Sequence, residues 1–257
     1  MRTNQRTGES VLHRAFKILD VLESAGTQLG LSEIALRANM PKATTYRLLN
    51  QLAELGAVER KGEWYLLGSH LFTLGAAVAA QRRLREAALP HMANLCDSLR
   101  QVVHLGVLDA GSVLHIEKTV PRLHKSARDS LGSRRPVHAT AMGKAILAFV
   151  PPVDLPRHLQ PELKRYTPYT VTSMDVLKRQ LATVQQCGFA VEHEEWVLGF
   201  NCVAAPVFDA SGLPIAGLSV AGATNSFRAE SGASALCAAA SRISRALSSG
   251  SSISLGG

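Results

Sequence analysis

Thr45, Leu48, Leu49 and Leu52 fall at i, i+3, i+4 and i+7, the stripe by which a helix packs on a core. The stripe runs from Pro41, whose missing N–H and fixed φ suit the first position of a helix, and Gly56 ends it. A shorter helix precedes it: Ser32 is an N-cap residue by type, Glu33 favours the positive end of the helix dipole, and Asn39-Met40-Pro41 breaks the run. Two short helices about a tight turn are the grammar of a helix-turn-helix. Residues 10–24 add an amphipathic third helix with Val11, Ala15, Ile18, Leu19 and Leu22 on one face. Residues 57–67 alternate weakly about Lys61-Gly62 and predict a two-stranded wing.

At about 100° per residue, Ala43, Tyr46, Arg47 and Asn50 stand opposite the buried stripe, while Lys42 and Thr44 flank the helix N-terminus. These side chains suit base edges in a major groove: Arg for guanine, Asn for adenine, Ala or a Thr methyl against the thymine methyl. Arg60 and Lys61 at the wing tip suit phosphate, so losing either is expected to weaken all DNA sequences alike. The competing reading is an ordinary three-helix core with Lys42 and Arg47 on a solvated face. The order of cap, turn, helix and wing favours double-stranded DNA.

The rest of the chain predicts a second, α+β domain. Residues 71–84 are Ala-rich and lack proline, which predicts a linker helix over 69–85 that exits at Gln81-Arg82-Arg83. The winged domain then occupies 1–68, and the second domain 86–248 opens with a helix that takes Pro90 in its first turn. β-rich runs 102–108 and 112–119, and again 202–208 and 213–220, flank short turns and predict two hairpins. Helical patterns cover 138–149, 174–186 and 228–247, so the sheet is expected to be largely antiparallel. The Ser/Gly-rich residues 249–257 read as a flexible tail.

Composition narrows this little. The 257 residues give room for two modest domains, and a net charge of +8 suits a polyanionic partner. Residues 1–61 hold nine Lys/Arg against six Asp/Glu, so DNA binding rests on the motif and not on charge. The N-terminus lacks an apolar leader and no run of 18 uncharged apolar residues occurs, so a cytoplasmic protein without membrane contact is expected. Cys96, Cys187, Cys202 and Cys237 are widely spaced with no Cys-x-x-Cys pair, so neither a metal site nor a disulfide framework is expected.

The chain resembles the IclR (isocitrate lyase regulator-like) family of bacterial transcription factors over nearly its whole length. The resemblance is carried by 31–56, by Arg135-Pro-Val-His-Ala-Thr-Ala-Met-Gly-Lys-Ala-Ile-Leu147, and above all by 188–209, where Gly188, Glu195, Cys202, Val203, Ala204, Val207, Phe208 and Asp209 fit the family signature. It implies an N-terminal winged helix, a linker helix, a C-terminal GAF-like effector-binding domain, and a homodimer or dimer of dimers on a pseudo-palindromic operator. It also implies an effector pocket built here from Ala141, Met142, Glu192, Cys202, Ser219 and Ala221. Two positions depart from the family pattern: Glu192 stands where Asp or Ser is usual, and Ala221 where Ser is common. Ser219 and Ala221, two residues apart on a strand, share a face.

These residues suit a small organic acid, an aromatic or hydroxy-aromatic carboxylate ahead of glyoxylate or pyruvate. Ser219 would hydrogen-bond its polar head, Glu192 would accept from a ligand hydroxyl, and backbone N–H groups near Ala141 and Met142 would take the carboxylate. Glu192 opposes an anion beside it unless its own carboxyl is protonated. The chain is expected to act as a ligand-responsive regulator, the commoner role being repression, with no cofactor and no catalytic residue. An enzyme, or a sensor whose wing docks on protein, is the alternative, but no nucleophile–base pair supports catalysis. Cys202 reads as pocket wall. Gly143-Lys144 resembles a P-loop but has His138 and Ala145 where that motif needs Gly and Ser or Thr. His138 reads as a satisfied structural histidine, and Arg134-Arg135 as a solvated loop pair or, as a minority view, a clasp for an anion. Among Glu192, Glu194 and Glu195, alternation along a strand lets at most the first two share a face.

Overall fold

The computed structural model describes residues 9–122 and 131–249; the expected tail beyond Ser249 lies outside them. The chain divides into two compact units, Met1–Ala79 and Ala80–Gly257.

In the first unit, helix α1 (Val11–Ala25), α2 (Leu31–Arg37) and α3 (Lys42–Glu54) pack with the hairpin β2 (Val58–Lys61) and β3 (Trp64–Leu67). Ile18, Leu22, Ile34, Leu48, Leu49, Leu52 and Tyr65 form the core. Two cap assignments change. Gly30, not Ser32, caps α2, because a short β1 (Leu29–Gly30) pairs with β3 and the helix starts directly where that ladder ends. Pro41 is the N-cap of α3 and not its first helical residue: its ψ of 135° is extended, and its carbonyl accepts from Thr45 N and Thr45 Oγ1. Asn39 takes the left-handed turn between the helices at φ 51°.

The expected linker helix is two helices, α4 (Ser69–Ala76) and α5 (Ala79–Leu99), broken at Ala77-Val78. Gln81-Arg82-Arg83 therefore lie inside a helix. Pro90 stands in the interior of α5 and not in a first turn, because the buried stripe Leu84, Ala88, Met92, Leu95, Cys96 runs through it and that packing outweighs the lost hydrogen bond.

In the second unit, β4 (Val102–Asp109), β5 (Ser112–Thr119), β6 (Arg134–Pro136), β7 (Ala190–His193), β8 (Phe200–Phe208) and β9 (Pro214–Ala223) form one sheet of order β6-β5-β4-β9-β8-β7, antiparallel throughout. Alternation along the strands feeds two cores. Val103, Leu105, Val203, Leu218 and Val220 face α5 and α8 (Ala233–Ser249). Ala190, Ala204 and Val113 share a core with α6 (Ala141–Leu147) and α7 (Met174–Cys187). Both expected hairpins are present. The helix expected over 138–149 begins only at Ala141, where Thr140 caps it by accepting from Gly143 N at 3.2 Å. The last helix is preceded by a separate 3₁₀ turn, Ala229–Gly232. Arg134-Arg135 is not a loop pair but part of β6, an edge strand on β5.

Candidate nucleic-acid interface and ligand cavity

On α3 the stripe Thr45, Leu48, Leu49, Leu52 is buried, and Lys42, Ala43 and Arg47 are exposed on the other side. Thr44 and Asn50 are half-buried, and Tyr46 keeps 42% of its surface exposed. The Asn50 side chain, then the hydrogen bond and charge of Arg60, hold the Tyr46 phenol below its ordinary value. Arg60 is therefore not a free arm at the wing tip. Its Nε donates to the Gly62 carbonyl at 2.9 Å, and its guanidinium lies 5.7 Å from the Tyr65 ring centre. Lys61 extends from the tip beside Glu59, at 3.4 Å and well exposed. The helix and the wing are thus tied through Tyr46 and Arg60 into one surface.

In the second unit Met142, Glu192, Cys202, Ser219 and Ala221 line one cavity of about 130 Å³. Ala141 does not: it is fully buried in the core beside α6. The floor is two rows of one sheet face. Glu192, Cys202, Ala221 and Val102 lie side by side across β7, β8, β9 and β4, and Ala204, Ser219, His104 and Lys118 form the next row, two residues along. Met142 covers the floor from α6 and sits in a notch left by the cross-strand pair Gly106 and Gly217, where a Cβ would lie within 2.6 Å and 2.5 Å of its side chain.

Sequence reasoning missed most of the cationic side of this cavity, His104, His115 and Lys118, with Trp196; Arg135, offered there only as a minority reading, lines it too. The register of β4 and β5 slips at Leu105/Gly106, so Leu105 faces Glu117 and Gly106 faces His115. That bulge turns His115 to the cavity beside Lys118 and sends Ile116 into the core under α5 and α8. The His104 and His115 rings stack with centres 4.8 Å apart. Arg135 reaches in from β6, its guanidinium carbon 5.3 Å from the Trp196 ring centre, and Trp196 meets Tyr166 edge-on at 4.5 Å.

The three glutamates do not act together, and the expected alternation fails at Glu194, whose φ of 55° ends the strand. Glu192 Oε1 accepts from Glu195 N and from Trp196 N at 3.1 Å; Glu194 accepts from Gly199 N at 2.8 Å. Glu195 forms a buried ion pair with Lys144 and also accepts from Val171 N at 3.3 Å. Burial pushes the Glu192 carboxyl up to about 7, against its two backbone hydrogen bonds. Lys144, the P-loop lookalike, has its committed partner in Glu195. His138 is the satisfied histidine expected: Nε2 donates to the Lys164 carbonyl at 2.9 Å, and burial lowers its pKa. Cys202 is half-buried and forms part of the cavity wall.

A helix-turn-helix unit followed by a sheet domain that holds a ligand-sized cavity is the composition of a DNA-binding transcription regulator. The chain belongs to the IclR family: residues 76–249 match the bacterial transcriptional regulator IclR C-terminal domain and residues 11–62 the IclR helix-turn-helix domain. The HTH-type transcriptional regulator KdgR of Dickeya chrysanthemi is 36% identical over 209 residues, covering 79% of this chain and 68% of that protein. The HTH-type transcriptional repressor AllR of Klebsiella pneumoniae is 31% identical over 218 residues, covering 84% and 80%. Among solved structures, an IclR homolog complexed with 4-hydroxybenzoate from Microbacterium hydrocarbonoxydans aligns with a TM-score of 0.84 at 29% identity, over 93% of this chain and 99% of that one. Among the described residues no helix is long and apolar enough to cross a membrane.

Proposed function

We propose that this regulator, acting as a homodimer or a dimer of dimers, presses the exposed face of α3 into the major groove of a pseudo-palindromic operator. A small organic acid in the second-unit cavity then changes operator occupancy. The winged unit reads base edges with Ala43, Thr44, Tyr46, Arg47 and Asn50, while Lys42 and Lys61 meet phosphate. Arg60 has both duties, since it holds the Tyr46 hydroxyl as well as the wing turn. Two-fold symmetry gives two half-sites one helical turn or a multiple apart. Repression is the role named for the AllR relative, and in this reading the acid relieves it.

In a titration at fixed salt, Arg47→Ala is expected to cost about 1–3 kcal/mol and to relax base preference at one operator position. Lys61→Ala is expected to weaken all sequences alike and flatten the salt dependence. Arg60→Ala, unlike a plain phosphate contact, is expected to change base preference too. Unchanged operator affinity in Arg47→Ala, or a footprint covering a single half-site, would sink the reading face or the two-fold arrangement respectively.

The observation that carries the acid reading is a cavity about the size that holds one benzene ring, with four cationic or imidazole side chains on its wall. Apolar Val102, Met142, Phe200 and Ala221 suit a ring or short chain, and Ser219 offers a hydroxyl. The carboxylate is taken by Arg135, not by the start of α6, where Gly143 N is spent on Thr140 and Ala141 lies in the core. Calorimetry against aromatic, keto and sugar acids is expected to find a ligand that Arg135→Ala weakens tenfold or more and Ser219→Val weakens measurably. A ligand indifferent to both changes binds elsewhere.

A further inference from the structure

Among the described residues Glu192 is the one carboxyl on a cavity wall that also carries His104, His115, Lys118 and Arg135, and the structure gives hydrogen bonds to only one of its two oxygens. Oε1 accepts both backbone N–H groups of the following turn, while Oε2 has no protein partner among the described residues. The residue is 5% exposed and lines the cavity, so the little surface it keeps meets whatever fills that cavity. We infer that the cavity takes its acid on the protonated form of Glu192, with Oε2–H donating to a ligand oxygen, so that each binding event takes up one proton. The inference rests on the small-acid reading above.

The surroundings of Glu192 support it from every side. From α6, the Lys144 charge favours an ionised Glu192, but Glu195 already claims that ammonium, and Glu195 itself repels a second negative charge at Glu192. From β8 the register partner Cys202 and its neighbour Asn201 bring no cation. On the side of the 3₁₀ turn, Glu230 pairs with His193, the next residue along β7, at 3.1 Å. Across the sheet, His104, Lys118, His115 and Arg135 line the same cavity and draw an anion in. A carboxyl that burial places near neutrality is thus met by an anion at contact distance, and two negative charges there disfavour each other strongly. Protonation removes the repulsion and supplies the missing donor, since Oε1 is occupied as an acceptor.

The sign follows. The ligand raises the proton affinity of Glu192, so apparent affinity is greatest below about pH 7 and falls about tenfold per pH unit above it until the bound form also deprotonates. Calorimetry of benzoate, 4-hydroxybenzoate, pyruvate and gluconate between pH 6 and 8.5, in buffer pairs of different ionisation enthalpy, measures this directly. The wild-type protein is expected to take up close to one proton per ligand near pH 8. Glu192→Gln is expected to bind without that uptake, with little pH dependence, and at pH 8.5 at least as tightly as wild type. Binding without uptake in the wild type, or uptake that persists in Glu192→Gln and so belongs to His104 or His115, overturns the inference and leaves the acid reading standing. Failure of every acid to bind either protein removes the acid reading and the linkage together.

Discussion

Lys144→Met is expected to destabilise the second unit by about 3–5 kcal/mol, the cost of leaving a buried charge without its partner. Lys144 is 1% exposed and Glu195 6%. Burial pulls the Lys144 pKa down, and the Glu195 charge and hydrogen bond, followed by the Glu192 charge, counter it. Without the ammonium, Glu195 keeps a single backbone N–H, from Val171, and faces Glu192 across the same turn. The carbonyls of Glu194 and Glu195 accept from Thr167 and Thr170, so displacement of that turn spreads into the 167–171 segment and the cavity wall at Trp196. Acid relieves an orphaned carboxylate, so the loss should be smaller at pH 5 than at pH 8. Lys144→Met with Glu195→Gln removes both charges and should recover more than half of it. Denaturant unfolding followed by Trp196 fluorescence, in a Trp64→Phe background that silences the winged unit, reads this out. A loss below about 1 kcal/mol, equal at both pH values, would show that the pair is structurally idle.

What the sequence made legible was local and periodic. The recognition helix announces itself because its buried stripe, its stop and its wing lie within thirty residues, and both large hairpins because a turn separates two β-rich runs. What it hid depends on register or on distant packing. His115 and Lys118, three apart, cannot share a face of a regular strand; only the slip opposite Leu105 brings them together. Arg135 lies in a doubly basic stretch that composition assigns to solvent, and its three-residue strand is created by pairing with β5. Pro90 looks like a helix start until the stripe on both sides of it is seen to pack on one core. Five of the six residues implied by the family resemblance line the cavity; the sixth, Ala141, is packed into the core beside α6, because that helix starts on its Thr140 cap with its first turn buried.

The second large effect is expected at Gly143, whose neighbour Lys144 made the pair look like a phosphate loop. A helix-interior glycine normally gains up to about 1 kcal/mol on becoming alanine, because the unfolded chain loses freedom and helix propensity rises. At Gly143 the sign reverses. A Cβ there would lie 2.1 Å from the Val137 carbonyl oxygen and 2.4 Å from its Cα, and both belong to backbone that has no rotamer to change. Val137 cannot retreat, since it is buried directly after β6 and Thr140 is fixed to the Pro136 carbonyl at 2.8 Å. The helix must therefore move, which lifts Met142 out of its Gly106–Gly217 notch and Ile146 off the sheet. Gly143→Ala is expected to cost more than about 4 kcal/mol, in the range reserved for backbone clashes and core disruption, and to abolish ligand binding in whatever fraction folds. Gly75→Ala in α4 is the control: it is helical and exposed, nothing lies within 4 Å of the added methyl, and it should be neutral or stabilising by up to about 1 kcal/mol. If Gly143→Ala melts within about 2 °C of wild type, corresponding to at most about 1 kcal/mol, the close approach of α6 to Val137 is not a constraint on this fold.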